Sequence, residues 1–257
     1  MEQIEARVIS AEEAMPGVFL LWLDCPVIAE TAKPGQFVMV KCGDDNLLRR
    51  PLGVHRVSDD RKSFALLFAR VGKGTGWLSQ SKPGDRLDIL GPLGNGFSIL
   101  PDTHNILLIG GGIGIAPLPF LAQTALEKSC RVTLLLGAAT ACQLCPTRLI
   151  PEGVKCAFAT NDGSAGDEGH VTQSIPGYIE EADQIFACGP APMYHSMTKI
   201  AELKNKAVQV SLEAMMGCGF GLCYGCTVKT KQGFKQVCKD GPVFSFEDIL
   251  WDELADV

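Results

Sequence analysis

The sequence predicts a multidomain β + α/β protein with an antiparallel β-barrel, a doubly wound parallel sheet and a small cysteine-rich C-terminal domain. Three observations predict this architecture. Short β-type runs separated by turns fill residues 1–98, strands alternate with helical stretches over 99–212, and glycines and cysteines crowd 213–257. We therefore expect three domains with these bounds.

The β-type runs of the first range end at short turns rich in glycine, proline and aspartate, which favours a small barrel. The runs are Phe19–Leu23, Gln36–Val40, Ser63–Arg70 and Arg86–Leu90. The turns that separate them are Lys33–Gly35, Ser58–Asp60 and Lys82–Asp85.

Two segments of this range carry residues suited to a flavin nucleotide. Arg49–Gly53 follows one strand, and Phe68–Gly76 ends another. An arginine at a strand end can pair with a diphosphate, and a glycine-rich turn followed by Thr75 can offer N–H and hydroxyl donors. A solvated arginine and an ordinary turn are the alternatives for each segment alone. Their combination on a barrel favours the flavin.

The pattern changes near Asn105, where Ile106–Ile109 is a continuous apolar run typical of a buried parallel strand. A glycine-rich turn, Gly110–Pro117, and a second turn, Cys188–Met193, each follow such a strand. Ligands bind at the carboxyl ends of parallel strands, so both turns could face one crevice. A tight β–α turn without a ligand is the alternative for the first. The other predicted elements are helices near 117–128 and 191–203 and strands at Val132–Leu136, Val154–Thr160, Gln184–Cys188 and Val208–Val210.

The overall charge and apolar content exclude several classes of protein. The formal net charge is -6 and 20% of the residues are charged, which argues against nucleic acid or an anionic membrane as the partner. No apolar stretch is long enough to span a bilayer, and residues 1–7 lack the pattern of a signal peptide. We therefore expect a cytoplasmic protein.

Four of the 11 cysteines lie close together with the spacing Cys-x4-Cys-x2-Cys-x11-Cys. They are Cys218, Cys223, Cys226 and Cys238. The first three match the plant-type loop that binds a [2Fe–2S] cluster with one distant cysteine. Glycines at 217, 219, 221 and 225 let the backbone curl and turn N–H groups toward the sulfurs. A structural zinc site in a non-catalytic regulatory module is the alternative, although only one Cys-x2-Cys half is present.

The remaining cysteines and the histidines do not form a recognisable site. Cys142 and Cys145 could form a redox pair or a metal half-site, but no further ligands surround them in the sequence. The single cysteines at 25, 42, 130 and 156 are interpreted as small buried hydrophobes. The histidines do not cluster, and no Ser/His/Asp set or carboxylate pair occurs, so we predict no catalytic side chain. These histidines are His55, His104, His170 and His195.

Together these motifs resemble the ferredoxin–NADP reductase superfamily, in the same order along the chain. The cysteine segment followed by Asp240–Phe244 resembles one branch, the electron-transfer subunits of type B, NAD-dependent dihydroorotate dehydrogenase. The resemblance covers essentially the whole chain. It implies one FAD, one [2Fe–2S] cluster, NAD⁺ as electron acceptor, and an FMN-containing catalytic subunit as partner in a heterotetramer of two of each.

The resemblance also implies which residues contact the cofactors, with Cys218, Cys223, Cys226 and Cys238 as cluster ligands. The implied FAD contacts are Arg50, Pro51, Leu52, Gly53, Leu67, Phe68, Ala69, Gly74 and Thr75. The candidate NAD contacts are Gly111, Gly112, Gly114, Cys188, Gly189 and Pro190. Gly53 departs from the serine of the family's Arg-x-x-Ser pattern, so the missing hydroxyl contact must come from elsewhere.

The implied function is electron transfer in pyrimidine biosynthesis. Dihydroorotate would be oxidised on the partner's FMN, and electrons would pass through the cluster and FAD to NAD⁺. An NADPH-linked subunit of a ferredoxin–NADP transhydrogenase or sulfide dehydrogenase complex is the rival with the same layout. The segment Val243–Trp251 either helps to dock the partner or covers the chain's own core.

Overall fold

The computed structural model describes residues 1–254, which begin with a closed barrel of six antiparallel strands. Its strands are β1 (Glu2–Met15), β2 (Val18–Asp24), β3 (Phe37–Val40), β4 (Arg50–Val57), β5 (Ser63–Ala69) and β6 (Arg86–Leu93). They close in the order β1-β2-β5-β4-β3-β6, which confirms the predicted barrel. β1 and β4 were not predicted as strands. In β1 only Ala6, Val8 and Met15 are buried, so its apolar signal is weak.

The helices are short. They are α1 (Pro26–Thr31), α2 (Lys73–Leu78), α3 (Leu118–Glu127), α4 (Val171–Ser174), α5 (Pro176–Ile179) and α6 (Ala191–Met197). Six 3₁₀ turns lie at Gly112–Ile115, Ala141–Gln143, Thr147–Leu149, Ala201–Asn205, Phe246–Asp248 and Trp251–Glu253. The predicted helix over 191–203 is wrong in its second half. The hydroxyls of Ser196 and Thr198 bond the carbonyls of Pro192 and His195, and such local bonds compete with helix continuation.

The remaining strands form a hairpin and a second sheet. They are β7 (Asn105–Gly111), β8 (Arg131–Ala138), β9 (Lys155–Thr160), β10 (Asp167–Glu168), β11 (Gln184–Cys188), β12 (Ala207–Ser211), β13 (Thr227–Thr230), β14 (Gly233–Gln236) and β15 (Val243–Ser245). The sheet order is β10-β9-β8-β7-β11-β12-β15. All its pairs are parallel except β12 with β15. The reversal of strand order at β7 confirms a doubly wound sheet.

The C-terminal segment returns to the second sheet. β13 and β14 form a separate hairpin, and β15 then pairs antiparallel with β12. The predicted range 213–257 thus contributes a strand to the sheet of the range 99–212, and residues 255–257 lie outside the described residues. The three domain bounds stay predictions.

One apolar core joins the barrel, the sheet and the cysteine-rich segment. Met39 of β3, Ile185 of β11, Cys226, Cys238 and Trp251 all belong to it. This shared core fixes the cysteine loop against the barrel. Within residues 1–254, no helix has the length and apolar character needed to cross a membrane.

Candidate functional site

The β13–β14 hairpin brings two of the four clustered cysteines together. Cys226 precedes β13 and Cys238 follows β14. The Val237 N–H donates to the carbonyl of Cys226 at 3.0 Å, and the Cys238 N–H points to the Cys226 sulfur at 3.4 Å. Both thiols are buried. The antiparallel ladder therefore fixes this pair.

The other two cysteines form a second pair in the loop between β12 and β13. The Leu222 N–H donates to the Cys218 sulfur at 3.3 Å. A Cβ atom added at Gly217 would lie 3.3 Å from the Cys223 sulfur, so the loop backbone wraps this thiol closely. Cys223 is exposed and Cys218 is partly buried. The four thiols are thus arranged as an outer and an inner pair.

Local hydrogen bonds favour the thiolate at the outer pair. Burial acts to raise the pKa of Cys218, but hydrogen bonds from the backbone N–H groups of Phe220, Cys223 and Leu222 lower it to about 6. Burial, followed by the neighbouring Cys226, raises the pKa of Cys238 to about 12. Because the thiolate is the metal ligand, binding at the inner pair must displace a proton.

The two pairs fit a two-iron cluster. A [2Fe–2S] cluster takes two thiolates at each of two irons. N–H groups directed at the sulfurs match its negative charge. Cys218 and Cys223 would hold one iron, and Cys226 and Cys238 the other.

A glycine allows the cysteine loop to touch the barrel. Gly219 has φ +83°, in the left-handed region, and a Cβ there would lie 2.6 Å from Cγ of Met39. Any side chain would therefore push the loop off β3. This contact sets the loop next to the candidate flavin cavity, because Phe37 of the same strand lines that cavity.

The candidate flavin cavity, of ≈ 360 Å³, lies between the barrel and the second sheet. Eight of the nine predicted FAD contacts line it, namely Arg50, Pro51, Leu52, Gly53, Leu67, Phe68, Ala69 and Thr75. The ninth, Gly74, lies directly behind Arg50, where an added Cβ would approach the guanidinium Nε to 2.6 Å. Because Gly74 has no side chain, the guanidinium of Arg50 can pack directly against the turn.

The hydroxyl of Thr75 holds the turn rather than facing outward as a donor. It accepts the N–H groups of Val71 at 2.9 Å and Gly72 at 3.1 Å, and donates to the carbonyl of Gly72 at 3.3 Å. The expected hydroxyl donor to a diphosphate is thus engaged within the turn. Arg50 and the turn's backbone remain the groups suited to an anion.

Cys188 lines the flavin cavity, and two ionisable residues near it, Tyr194 and Glu213, were not singled out from the sequence. Cys188 is fully buried, and burial raises its pKa. The hydroxyl of Tyr194 accepts the Gly189 N–H at 3.0 Å and donates to the carbonyl of Ser211 at 2.7 Å. Glu213 faces the open space of the cavity, and its desolvation by the surrounding protein raises the pKa of its carboxyl. The signal for Glu213 was its place just after β12, at the carboxyl edge of the sheet.

The predicted nicotinamide turns meet at the carboxyl edge of the sheet, as their positions suggested. Gly111, Gly112 and Pro190 line a second cavity of ≈ 320 Å³, whereas Cys188 lines the flavin cavity. A Cβ at Gly114 would overlap the carbonyl oxygen of Cys188, so this glycine lets one turn pack on the other. A Cβ at Gly189 would likewise strike Met193, 2.5 Å away. The assignment of these residues to NAD stays a proposal.

The remaining candidate cysteines and His55 lie in surroundings that favour structural roles. Cys142 is exposed, whereas burial raises the pKa of Cys145 to about 12, which disfavours a reactive thiolate.

His55 is buried in the barrel, and its Nδ1 lies 2.7 Å from the carbonyl oxygen of Ala116. Burial lowers the pKa of His55 to about 4, so the ring is neutral and donates this bond. His55 thereby joins β4 to the glycine-rich turn.

Sequence comparisons place the cysteine segment and the whole chain in one group. Residues 213–250 match the model of the iron–sulfur cluster binding domain of dihydroorotate dehydrogenase B. The chain is 38% identical to the dihydroorotate dehydrogenase B (NAD(+)) electron transfer subunit of Desulforamulus reducens, over 96% of this chain and 98% of that one. The corresponding subunit of Geobacillus kaustophilus is also 38% identical, over 90% of this chain and 91% of its own length.

Solved structures show the same fold. A chain of the NADH-dependent reduced ferredoxin–NADP oxidoreductase, described for flavin-based electron bifurcation, superposes with a TM-score of 0.87 and 34% identity. The match covers 97% of this chain and 91% of that chain. The ferredoxin reductase of carbazole 1,9a-dioxygenase has a TM-score of 0.71 at 21% identity, over 81% of this chain and 68% of its own. This second likeness concerns the fold alone.

Proposed function

Because the chain belongs to the family of dihydroorotate dehydrogenase B (NAD(+)) electron transfer subunits, we propose that it carries electrons from a partner dehydrogenase to NAD⁺. It is a flavin and iron–sulfur oxidoreductase subunit of pyrimidine biosynthesis. The observation that carries this proposal is the contact between the four-cysteine loop and β3, which sets the cluster ligands beside the flavin cavity.

The chain's own residues bind, orient and insulate the redox groups. When bound, the [2Fe–2S] cluster would supply single-electron transfer, and FAD would supply hydride transfer to NAD⁺. Arg50 would offset the negative charge of the FAD diphosphate. The buried Cys188 and Leu212 line the cavity and exclude water from that side of it. No general base is needed for this transfer.

Short stretches of chain connect the cluster ligands to the flavin cavity. Met216 lines the cavity and lies two residues before Cys218. Pro242 also lines it and lies four residues after Cys238. Electrons therefore need to cross little protein between the two groups.

We assign the partner as the FMN-containing catalytic subunit, in a heterotetramer of two of each. The surface around the cysteine loop supports a docking role. Leu222, Tyr224 and Phe234 are more than two-thirds exposed there, at 71%, 70% and 75%. Aromatic and aliphatic side chains of this kind form the centres of protein interfaces. The nearby lysines at 231, 235 and 239, in a chain of net charge -6, suit an acidic rim on the partner.

A cytoplasmic location is part of the same proposal. All 11 cysteines are free, including several that are exposed or partly exposed. Free thiols in this number suit a reducing compartment.

Replacing one cluster ligand tests the electron route. In the complex purified with its partner, Cys226→Ser should abolish electron transfer from dihydroorotate to NAD⁺, because the inner pair loses a thiolate. Electron transfer from NADH to a dye through FAD should largely persist. Cys130→Ser, a buried cysteine far along the chain from the loop, is the matched control and should keep both activities. Equal retention of both activities in Cys226→Ser would remove the cluster from the route.

One observation favours a second candidate function. The 34% identity to the NADH-dependent reduced ferredoxin–NADP oxidoreductase chain fits an electron-transfer subunit of a transhydrogenase complex. The co-purifying subunit and the preference for NADH or NADPH distinguish the two functions. A colourless, zinc-loaded protein would instead support a regulatory module.

A further inference from the structure

The second cavity, at the carboxyl ends of β7, β8 and β9, is placed to receive the adenosine half of a dinucleotide. Gly112 has φ +55°, and a Cβ there would meet no atom within 4 Å, so its backbone faces open space. Gly111 and Pro190 lie beside it, and Ala138 and Asn161 form the side toward β8 and β9. Dinucleotides extend along this edge of a doubly wound sheet, with the ribose of adenosine near the second strand.

The walls of this cavity provide no cation for a phosphate on that ribose. Among its lining residues within 1–254 there is no lysine or arginine, and His170 is the sole ionisable side chain. Sites that accept the 2′-phosphate of NADP use an arginine for it. The lining therefore favours a dinucleotide whose ribose carries a free 2′-hydroxyl.

Hydrogen bonds hold Asp162 beside Ala139 and Asn161, which line the cavity. The Asp162 N–H donates to the carbonyl of Ala139 at 3.3 Å, which holds the residue beside the end of β8. Its Oδ1 accepts the hydroxyl of Ser164 at 2.5 Å and the Ser164 N–H at 3.1 Å. Ser164 in turn accepts the Ala141 N–H at 2.8 Å. The segments that follow β8 and β9 thus both contribute hydrogen bonds that position the carboxylate.

The same bonds favour the ionised form of Asp162, and its side chain is exposed. The hydroxyl of Ser164, then its N–H, lower the pKa of the Asp162 carboxyl. Both bonds from Ser164 fall on Oδ1. An ionised oxygen at this edge can accept a hydrogen bond from a ribose hydroxyl and repels a phosphate.

We propose that Asp162 selects NAD over NADP, by accepting a hydrogen bond from the 2′-hydroxyl of the adenosine ribose and repelling a 2′-phosphate. This inference rests on the proposed function, since it assumes a pyridine dinucleotide at the edge of the sheet. Asp162 is a specificity-determining residue and takes no part in the hydride step.

Two substitutions at one position test the selection in the purified complex. For each variant, kcat/KM is measured with NADH and with NADPH, and dissociation constants are measured for 5′-AMP and 2′,5′-ADP. Asp162→Asn keeps the side-chain shape and removes the charge. It should lower kcat/KM for NADH and the affinity for 5′-AMP by about tenfold, the usual loss for a hydrogen bond to a charged group. Asp162→Arg should favour NADPH and 2′,5′-ADP.

Asp167→Asn is the matched control. Asp167 is an exposed carboxylate on the neighbouring β10, bonded to the hydroxyl of Ser174 at 2.7 Å, and its replacement should leave both nucleotide ratios unchanged. An unchanged ratio in both Asp162 variants, or an equal shift in the control, would overturn the proposal. The AMP measurements need no electron transfer. A shift in AMP binding without any NADH oxidation would therefore contradict the proposed function and still support the role of Asp162.

Discussion

The thiols of Cys218 and Cys238 have shifted pKa values of opposite direction, although both are candidate ligands of one cluster. Backbone N–H groups surround the first, whereas burial beside Cys226 governs the second. The spacing of the cysteines predicted the ligand set, because spacing is a local property. It could not predict which thiols are ionised, since that depends on how the loop folds against the hairpin.

The same limit applies to single residues in and near the flavin cavity. Arg50 and Gly53 could be predicted because they lie in short motifs next to strands. Tyr194 could not, because its hydroxyl reaches Ser211, 17 residues away along the chain, only in the folded sheet. Thr75 was predicted as part of the site, but its hydroxyl holds the turn.

His55 makes stability depend on pH. Its pKa falls from 6.5 in the unfolded chain to about 4 in the fold, because burial disfavours the charged ring. The unfolded chain therefore binds the proton more tightly. The stability that the neutral His55 ring contributes is complete above pH 6.5 and is lost as the pH falls toward 4. Lowering the pH from about 7.5 to 5.5 should therefore reduce the free energy of unfolding by about 1 kcal/mol.

Urea unfolding of the wild-type protein and of His55→Gln measures this contribution. Glutamine can donate to the carbonyl of Ala116 but does not titrate. The variant should therefore lose less stability over the same pH interval. An identical pH dependence in both proteins would show that the ring is already accessible to protons.

Among the elements, β15 could not be predicted, because a run of only three residues gives no periodicity. Its pairing with β12 anchors the segment that follows, where Trp251 packs on Tyr194 and Phe246. The ring centroids lie 5.1 Å and 4.7 Å apart, and the indole N–H donates to the carbonyl of Phe246 at 3.0 Å. This packing supports the interpretation that the segment covers the chain's own core.

Trp251→Ala should therefore lower the free energy of unfolding by about 3–5 kcal/mol, as expected for a large aromatic side chain removed from a core. Phe234→Ala is the matched control, since Phe234 is an aromatic residue with 75% of its surface exposed. It should leave stability nearly unchanged and weaken partner binding. Chemical denaturation measures the first effect, and a small loss in Trp251→Ala would mean that the segment is only loosely attached.

At the scale of the whole molecule, the sequence predicted the order of barrel, parallel sheet and cysteine-rich segment from changes in local pattern. It did not predict how these parts contact one another. The approach of Gly219 to Met39 joins residues that are distant along the chain, and so does the bond between His55 and Ala116. Such contacts arise from the packing of the shared core, which leaves no periodic signal in the sequence.

The central claim is that one chain holds a flavin and a [2Fe–2S] cluster in electronic contact and exchanges electrons with NAD⁺. Anaerobic titration of the purified protein with NADH, followed by visible and electron paramagnetic resonance spectroscopy, tests this most directly. We expect flavin and iron–sulfur absorption before NADH is added. On addition of NADH, the flavin should bleach and the paramagnetic signal of a reduced cluster should appear. A protein without iron–sulfur absorption, or a cluster that stays oxidised while the flavin is reduced, would contradict this claim.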